Sequence, residues 1–231
     1  MEKLVYVLRT ETDGDALRDG LLEKAAPALR EEGALKIDVL VADAAVSAGA
    51  ASRIARLSPP CAAEVAFWLD NSDDRQPCEA LLRSHADALE GFLVVESLPL
   101  RSAERDQRDG SRTPGFTLVT GITRLASVSY EDFLQIWHED HKRVAEETQS
   151  TFSYVRNTVA RPLTAGAPGW AGVVEESFPI EALTDPETWY DAAGDTERFK
   201  VNLARMMESC QRFLDLGQID SHPMSEYLLP D

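Results

Sequence analysis

Little in this 231-residue chain is basic: 23 Lys and Arg stand against 40 Asp and Glu, a formal charge of −17. Such an acidic surface repels phosphate, and no Lys/Arg cluster forms a patch, so nucleic acid and anionic membrane surfaces are disfavoured as partners. Cysteine is scarce. Three residues (Cys61, Cys78, Cys210) without C-x-x-C spacing argue for reduced thiols in a cytoplasm rather than a disulfide frame or a zinc site. No apolar run approaches the roughly 18 residues of a membrane span. The opening MEKLVYVLRT enters a strand-like pattern without the basic and apolar blocks of a signal peptide. G-x-G-x-x-G, the P-loop and the G-x-S-x-G elbow are missing, which leaves nucleotide binding and triad hydrolysis without support. What is present is ordinary for a globular protein, with 44% hydrophobic and 27% charged residues.

Periodicity organises the chain. Residues 3–10 predict a strand, 14–33 a helix ending at Gly33, 35–44 and 62–70 strands, 78–89 a helix and 91–100 a strand. The charged, apolar-free stretch 101–115, ending in Pro-Gly, predicts a linker. The order then returns: strand 116–126, helix 129–149, strands 152–160 and 170–180, a long helical region 185–216 and strand 219–229. Two β-α-β-β-α-β units predict an α+β protein of two tandem ferredoxin-like halves, 1–100 and 116–231. A four-stranded sheet covered by two helices leaves one face bare. Strands as apolar as KLVYVL and AEVAFWL need that face covered, so the halves are expected to pack sheet to sheet and enclose a barrel.

The second half carries F-x-x-x-W-x-x-x-H on its first helix (Phe133, Trp137, His141) and Y-x-x-N on the next strand (Tyr154, Asn157). With that order of elements it resembles the EthD family, within the dimeric α/β-barrel proteins. The match spans roughly residues 113–231, while 1–100 is alike in topology alone. The family helix usually continues H-x-P, where this chain has His141-Lys142-Arg143. A shift of 116 residues places Leu17 on Phe133, Leu21 on Trp137, Ala25 on His141 and Pro27 on Arg143. The first half thus keeps the proline but lacks the aromatic and the imidazole, as expected of a duplicated module with one working copy. The resemblance implies an intrachain dimeric α/β barrel, in a superfamily of cofactor-free cyclases, dehydratases and decarboxylases, heme enzymes and proteins without assigned chemistry. Many such barrels associate again, so a homodimer is compatible with it.

At 100° per residue, Tyr130, Phe133, Leu134, Trp137, His141 and Val144 share one sector of the helix. A lone histidine on an apolar face is often a satisfied core residue. With the family pattern beside it, His141 becomes a candidate general acid/base, held neutral by desolvation. Strand alternation puts Tyr154 and Arg156 on one face and Asn157 on the other. Asn157 is placed nearest His141 as its orienting partner, with Tyr154 and Arg156 toward the cavity, an assignment that the alternation alone leaves reversible. Trp137, Phe133 and Tyr130 would wall the substrate. Asp220 and His222, two apart on a strand, share a face, so the carboxylate could orient the imidazole, although Pro223 suggests a strand end. His138 and His141 lack further metal ligands nearby, so no metal is expected. Nothing demands a cofactor, heme on His141 or His222 included.

The expected activity is a cofactor-independent lyase or isomerase (dehydratase, decarboxylase or cyclase type) on a small aromatic or polyketide-like molecule. Its alternative is a non-catalytic aromatic-ligand-binding or accessory protein of a degradative or biosynthetic route.

Overall fold

An open four-stranded sheet exposes two edges of unpaired backbone groups, and this chain, as a computed structural model, pairs the edges of one sheet with those of the other. Residues 1–231 are described, the side chain of Glu104 apart. The strands are β1 (Glu2–Arg9), β2 (Leu35–Val41), β3 (Cys61–Leu69), β4 (Ala88–Leu100), β5 (Phe116–Ile122), β6 (Ser153–Pro162), β7 (Gly172–Phe178) and β8 (Asp220–Leu228). They close into one antiparallel barrel in the order β1-β3-β2-β8-β5-β7-β6-β4. The β-α-β-β-α-β order occurs twice, and each half contributes four adjacent strands. The seams are β2 on β8, with Val39 opposite Tyr227, and β4 on β6, with Val94 opposite Val159. Closure is therefore made by hydrogen-bonded edges. β8 is an internal strand, and Pro223 sits within it opposite Leu118 rather than at a strand end.

Alternation along β1 separates two cores. Leu4, Tyr6 and Leu8 face helices 14–31 and 76–83, whereas Val5 and Val7 face inward. Inside, Val5, Val7, Leu40, Phe92, Val119 and Met224 form an apolar belt. An eight-stranded barrel is just wide enough for side chains to fill it, and these fill it. Charged groups occupy its two ends. At one, Lys3 lies 2.6 Å from Glu96 and 3.4 Å from Glu175. At the other, Arg9 lies 2.7 Å from Glu90 and 2.5 Å from Asp220.

The stretch expected to be a linker is a strap across the first of these ends. Arg105 pairs with Glu226 and reaches Asp38 at 3.4 Å and Glu175 at 3.6 Å, while Arg108 meets Asp38 at 2.7 Å. Its polarity reads as solvated linker in sequence because the carboxylates that need those guanidiniums come from β2, β7 and β8.

Helix 14–31 starts on Asp13, which accepts from the amides of Asp15 and Ala16, and helix 130–148 starts on Ser129, which accepts from that of Asp132. The helical region expected over 185–216 is broken. A turn at Pro186–Trp189 is separated from helix Thr196–Gln211 by Asp191 and Gly194, both at positive φ (49° and 76°), and Asp195 caps the new start.

Both long helices contain a π-helical segment, Leu21–Ala25 in one and Ile136–His141 in the other. In a regular helix, residues four apart drift by about 40° per step. A turn widened toward i→i+5 bonding removes that drift. It lets Leu17, Leu21, Ala25 and Leu29 form one buried row in the first half, and Phe133, Trp137, His141 and Ala145 the matching row in the second.

Candidate functional site

The second half's helices do not seal onto their sheet. Between them runs a cleft of about 170 Å3 whose walls include Trp137, His141, Tyr154, Glu176, Phe213 and Ser221. The wide turn of helix 130–148 sets His141 over it, and helix Thr196–Gln211 supplies the group that orients the ring. His141 Nδ1 lies 2.9 Å from Ser209 Oγ, and the ring centroid is 5.0 Å from that of Phe213. With Nδ1–H donating to Ser209, the lone pair is on Nε2. Nε2 has no hydrogen-bond partner among the described residues and is not one of the side-chain atoms buried without a partner, so it is accessible on a ring that lines the cleft. Burial, and then the charge of Arg156, hold the imidazole at about 4, neutral near pH 7.

Across the cleft, Tyr154 Oη accepts a hydrogen bond of 2.9 Å from Trp137 Nε1. Burial pushes its pKa far above the ordinary tyrosine value, so the phenol keeps its proton. That proton has no acceptor among the described residues and is free to donate to a ligand. Glu176 stands opposite Tyr154 on β7, without an ion pair or side-chain hydrogen bond among the described residues. Its apolar surroundings raise the carboxyl to about 7. Gln149 Oε1, also on the cleft, is buried without a partner. The Cys210 thiol is pushed up to about 12 by burial, which removes it as a nucleophile near neutrality.

The side-chain assignment on β6 made from alternation is reversed. Asn157 points into the barrel, where Nδ2 donates to Glu175 Oε1 at 2.7 Å, and it does not orient His141. Tyr154 and Arg156 are on the helix side. Arg156 Nη1 donates to the carbonyl of His138 at 3.1 Å and Nε to Ser97 Oγ at 3.1 Å, which ties the strand to the widened turn. Each polar group followed its partner: Glu175 is inside the barrel, and the Trp137 indole outside. Phe133 is fully buried behind Trp137, ring centroids 5.4 Å apart, and does not reach the cleft. Tyr130 is 50% exposed at the helix start and does not reach it either. His222 is 1% exposed inside the barrel with Nε2 3.0 Å from Asp220 Oδ1, so the pair forms as the spacing suggests but away from the cleft. Ser209, Glu176 and Gln149 were not picked out from sequence. The signal for Glu176 was two adjacent carboxylates in the apolar strand GVVEESF, where alternation must send one to each face.

Among the described residues no group of three or more His, Cys, Asp or Glu side chains is arranged to hold a metal ion. A heme would require cationic partners for its propionates. Neither this cleft nor the cavity that adjoins it beyond Ile54 and Leu118 is lined by Lys or Arg, so the residues do not fit that group. Among the described residues no helix is long and apolar enough to cross a membrane.

No protein-family model matches the chain, and no curated protein does. Among solved structures, an anthrone oxidase-like protein superposes on 100% of this chain and 92% of its own with a TM-score of 0.54 at 10% identity. Chlorite dismutase from Candidatus Nitrospira defluvii superposes on 97% of this chain and 91% of its own with a TM-score of 0.47 at 11% identity. At 10% identity the likeness to the anthrone oxidase-like protein speaks for the fold alone, an α+β protein whose eight antiparallel strands close here into a barrel within one chain.

Proposed function

We propose that the second-half cleft binds a small aromatic or polyketide-like molecule and moves protons on it without a cofactor, as a lyase or isomerase. One observation carries the reading. A neutral imidazole with its Nδ1 fixed, a phenol with a free proton and a carboxyl poised near neutrality converge on one apolar cleft. In this reading Nε2 of His141 takes the proton from carbon next to a carbonyl, and the Tyr154 hydroxyl donates to the oxygen of the resulting enolate. Glu176 in its acid form gives its proton to a departing hydroxyl, which leaves as water, or to the far end of the enolate, which completes an isomerisation. Trp137 fixes the Tyr154 oxygen and forms the wall beside it, Arg156 holds the wide turn, and Ser209 replaces Asn157 as the orienting group.

Assignment to the EthD-like branch rests on Phe133, Trp137, His141 and Tyr154, and origin by tandem duplication rests on the two π segments. Leu21 and Ala25 lie 116 residues before Trp137 and His141, the same spacing in both pairs. The test is mass spectrometry of incubations with enolisable phenolics and aryl ketones. His141→Ala is expected to lower turnover by about two orders of magnitude or more. Unchanged turnover would remove the assignment, and ligand recovered bound but unaltered would make the protein a carrier.

A further inference from the structure

The cleft beside His141, at about 170 Å3, is smaller than the roughly 300 Å3 at which pockets for drug-sized ligands begin. It does not end there. Ile54, Leu118 and Ser221 also line a second cavity of about 530 Å3, which continues along the outer face of the sheet beneath segments 44–52 and 180–190. We propose that the two cavities are one binding site and that its ligand is a neutral, flat, elongated molecule of two or three fused rings, with its reactive end at His141. The proposal deepens the reading above and rests on it for the position of the reactive end.

Three features carry the ligand class. No charged residue lines the second cavity, and the charged group on the first is a carboxyl, so an anionic ligand would be desolvated without a partner. The first cleft is a slot between sheet side chains below (Tyr154, Val174, Glu176) and side chains of the two helices and the turn after the second above (Trp137, Met206, Phe213), which suits a planar ligand. The aromatic wall of the second cavity is rigid. Trp189 is held against Phe178 and Phe116 at centroid distances of 4.6 and 5.6 Å.

The first half gains a role in this arrangement. Ala48, Ala51 and Ile54 come from it, and Ile54 is locked to β8 by paired backbone hydrogen bonds of 2.8 Å with Ser221. The half that has Ala25 where its counterpart has an imidazole thus completes the other half's site.

Calorimetric titration with phenol, 1-naphthol and 9-phenanthrol tests the proposal on the intact chain. 9-Phenanthrol is expected to bind at least about tenfold more tightly than phenol, because its extra rings leave water in the second cavity. Ala48 and Ala51 are exposed, so Ala48→Phe and Ala51→Phe fill that cavity without disturbing a core. Each is expected to weaken 9-phenanthrol about tenfold and leave phenol unchanged. Equal affinities for phenol and 9-phenanthrol, or 9-phenanthrol affinity unchanged in both variants, would overturn the proposal. So would a dimer, seen by light scattering, that Ala51→Phe dissociates without changing ligand affinity, since the groove would then belong to a second copy. His141→Ala separates the two readings. Lost turnover with full 9-phenanthrol affinity supports both, whereas unchanged turnover removes the catalytic reading and leaves the ligand class standing.

Discussion

Replacing Glu176 by glutamine is expected to stabilise the protein, by an amount that grows as pH rises from about 4.5 to about 7 and is constant above that. The carboxyl shares the cleft with Tyr154, Val174 and Met206, without a cation among the described residues, and burial raises it from 4.5 to about 7. Between those values the unfolded chain is ionised while the native chain keeps its proton. The native state's advantage is complete below 4.5 and is lost as pH rises through 7. The full difference is about 3 kcal/mol, and the opening of the side chain to the cleft trims it to about 2. Glutamine matches the shape and cannot ionise. Urea denaturation should therefore show Glu176→Gln more stable than the parent by about 2 kcal/mol at pH 8.5 and by less than about 1 at pH 5, with equal m-values. A difference independent of pH, or a loss at pH 8.5, would mean that the carboxyl is hydrated or paired, and the acid role given to it would fall. A stabilised but inactive variant would be the expected trade of stability for function at a working site.

The histidine across the cleft has the opposite sign. Its native value of about 4 lies below the ordinary 6.5, so stability present above 6.5 is lost as pH falls toward 4, and His141→Leu should remove about 2 kcal/mol of that acid sensitivity in urea titrations. Arg105→Ala leaves Asp38, Glu175 and Glu226 buried around an absent guanidinium. A loss of about 3–5 kcal/mol is expected in thermal or urea denaturation, against less than about 0.5 for the exposed Arg101→Ala. At Gly172 a Cβ would lie 2.4 Å from the Trp137 ring. Gly172→Ala should cost about 1–3 kcal/mol and change the near-ultraviolet circular dichroism, and an unaffected spectrum would place the indole elsewhere.

The legible part of this protein was periodic. Strands alternate every two residues and helices repeat near 3.6, so the β-α-β-β-α-β order and its repetition could be read from local pattern. So could the apolar row through Phe133, Trp137 and His141. The errors fall where a residue's surroundings come from distant segments. Residues 101–115 join the halves, and the ion pairs they make were invisible in sequence because the carboxylates they neutralise lie on β2, β7 and β8. Pro223 looked like a strand end because pattern alone does not tell an edge strand from one inside a closed barrel. Asn157 and Tyr154 were assigned to opposite faces correctly, but which face met the helices was decided by Glu175 and Trp137.

By itself, the amino-acid order determined which segments are strand or helix and which side chains share a face, since both follow from backbone geometry between near neighbours. Tertiary structure alone decided that the barrel interior is packed, that the open space lies outside it under the second half's helices, and that Ser209 and Glu176 meet His141 there. Those outcomes depend on how volumes and charges from remote segments fit together, and no local pattern encodes that fit.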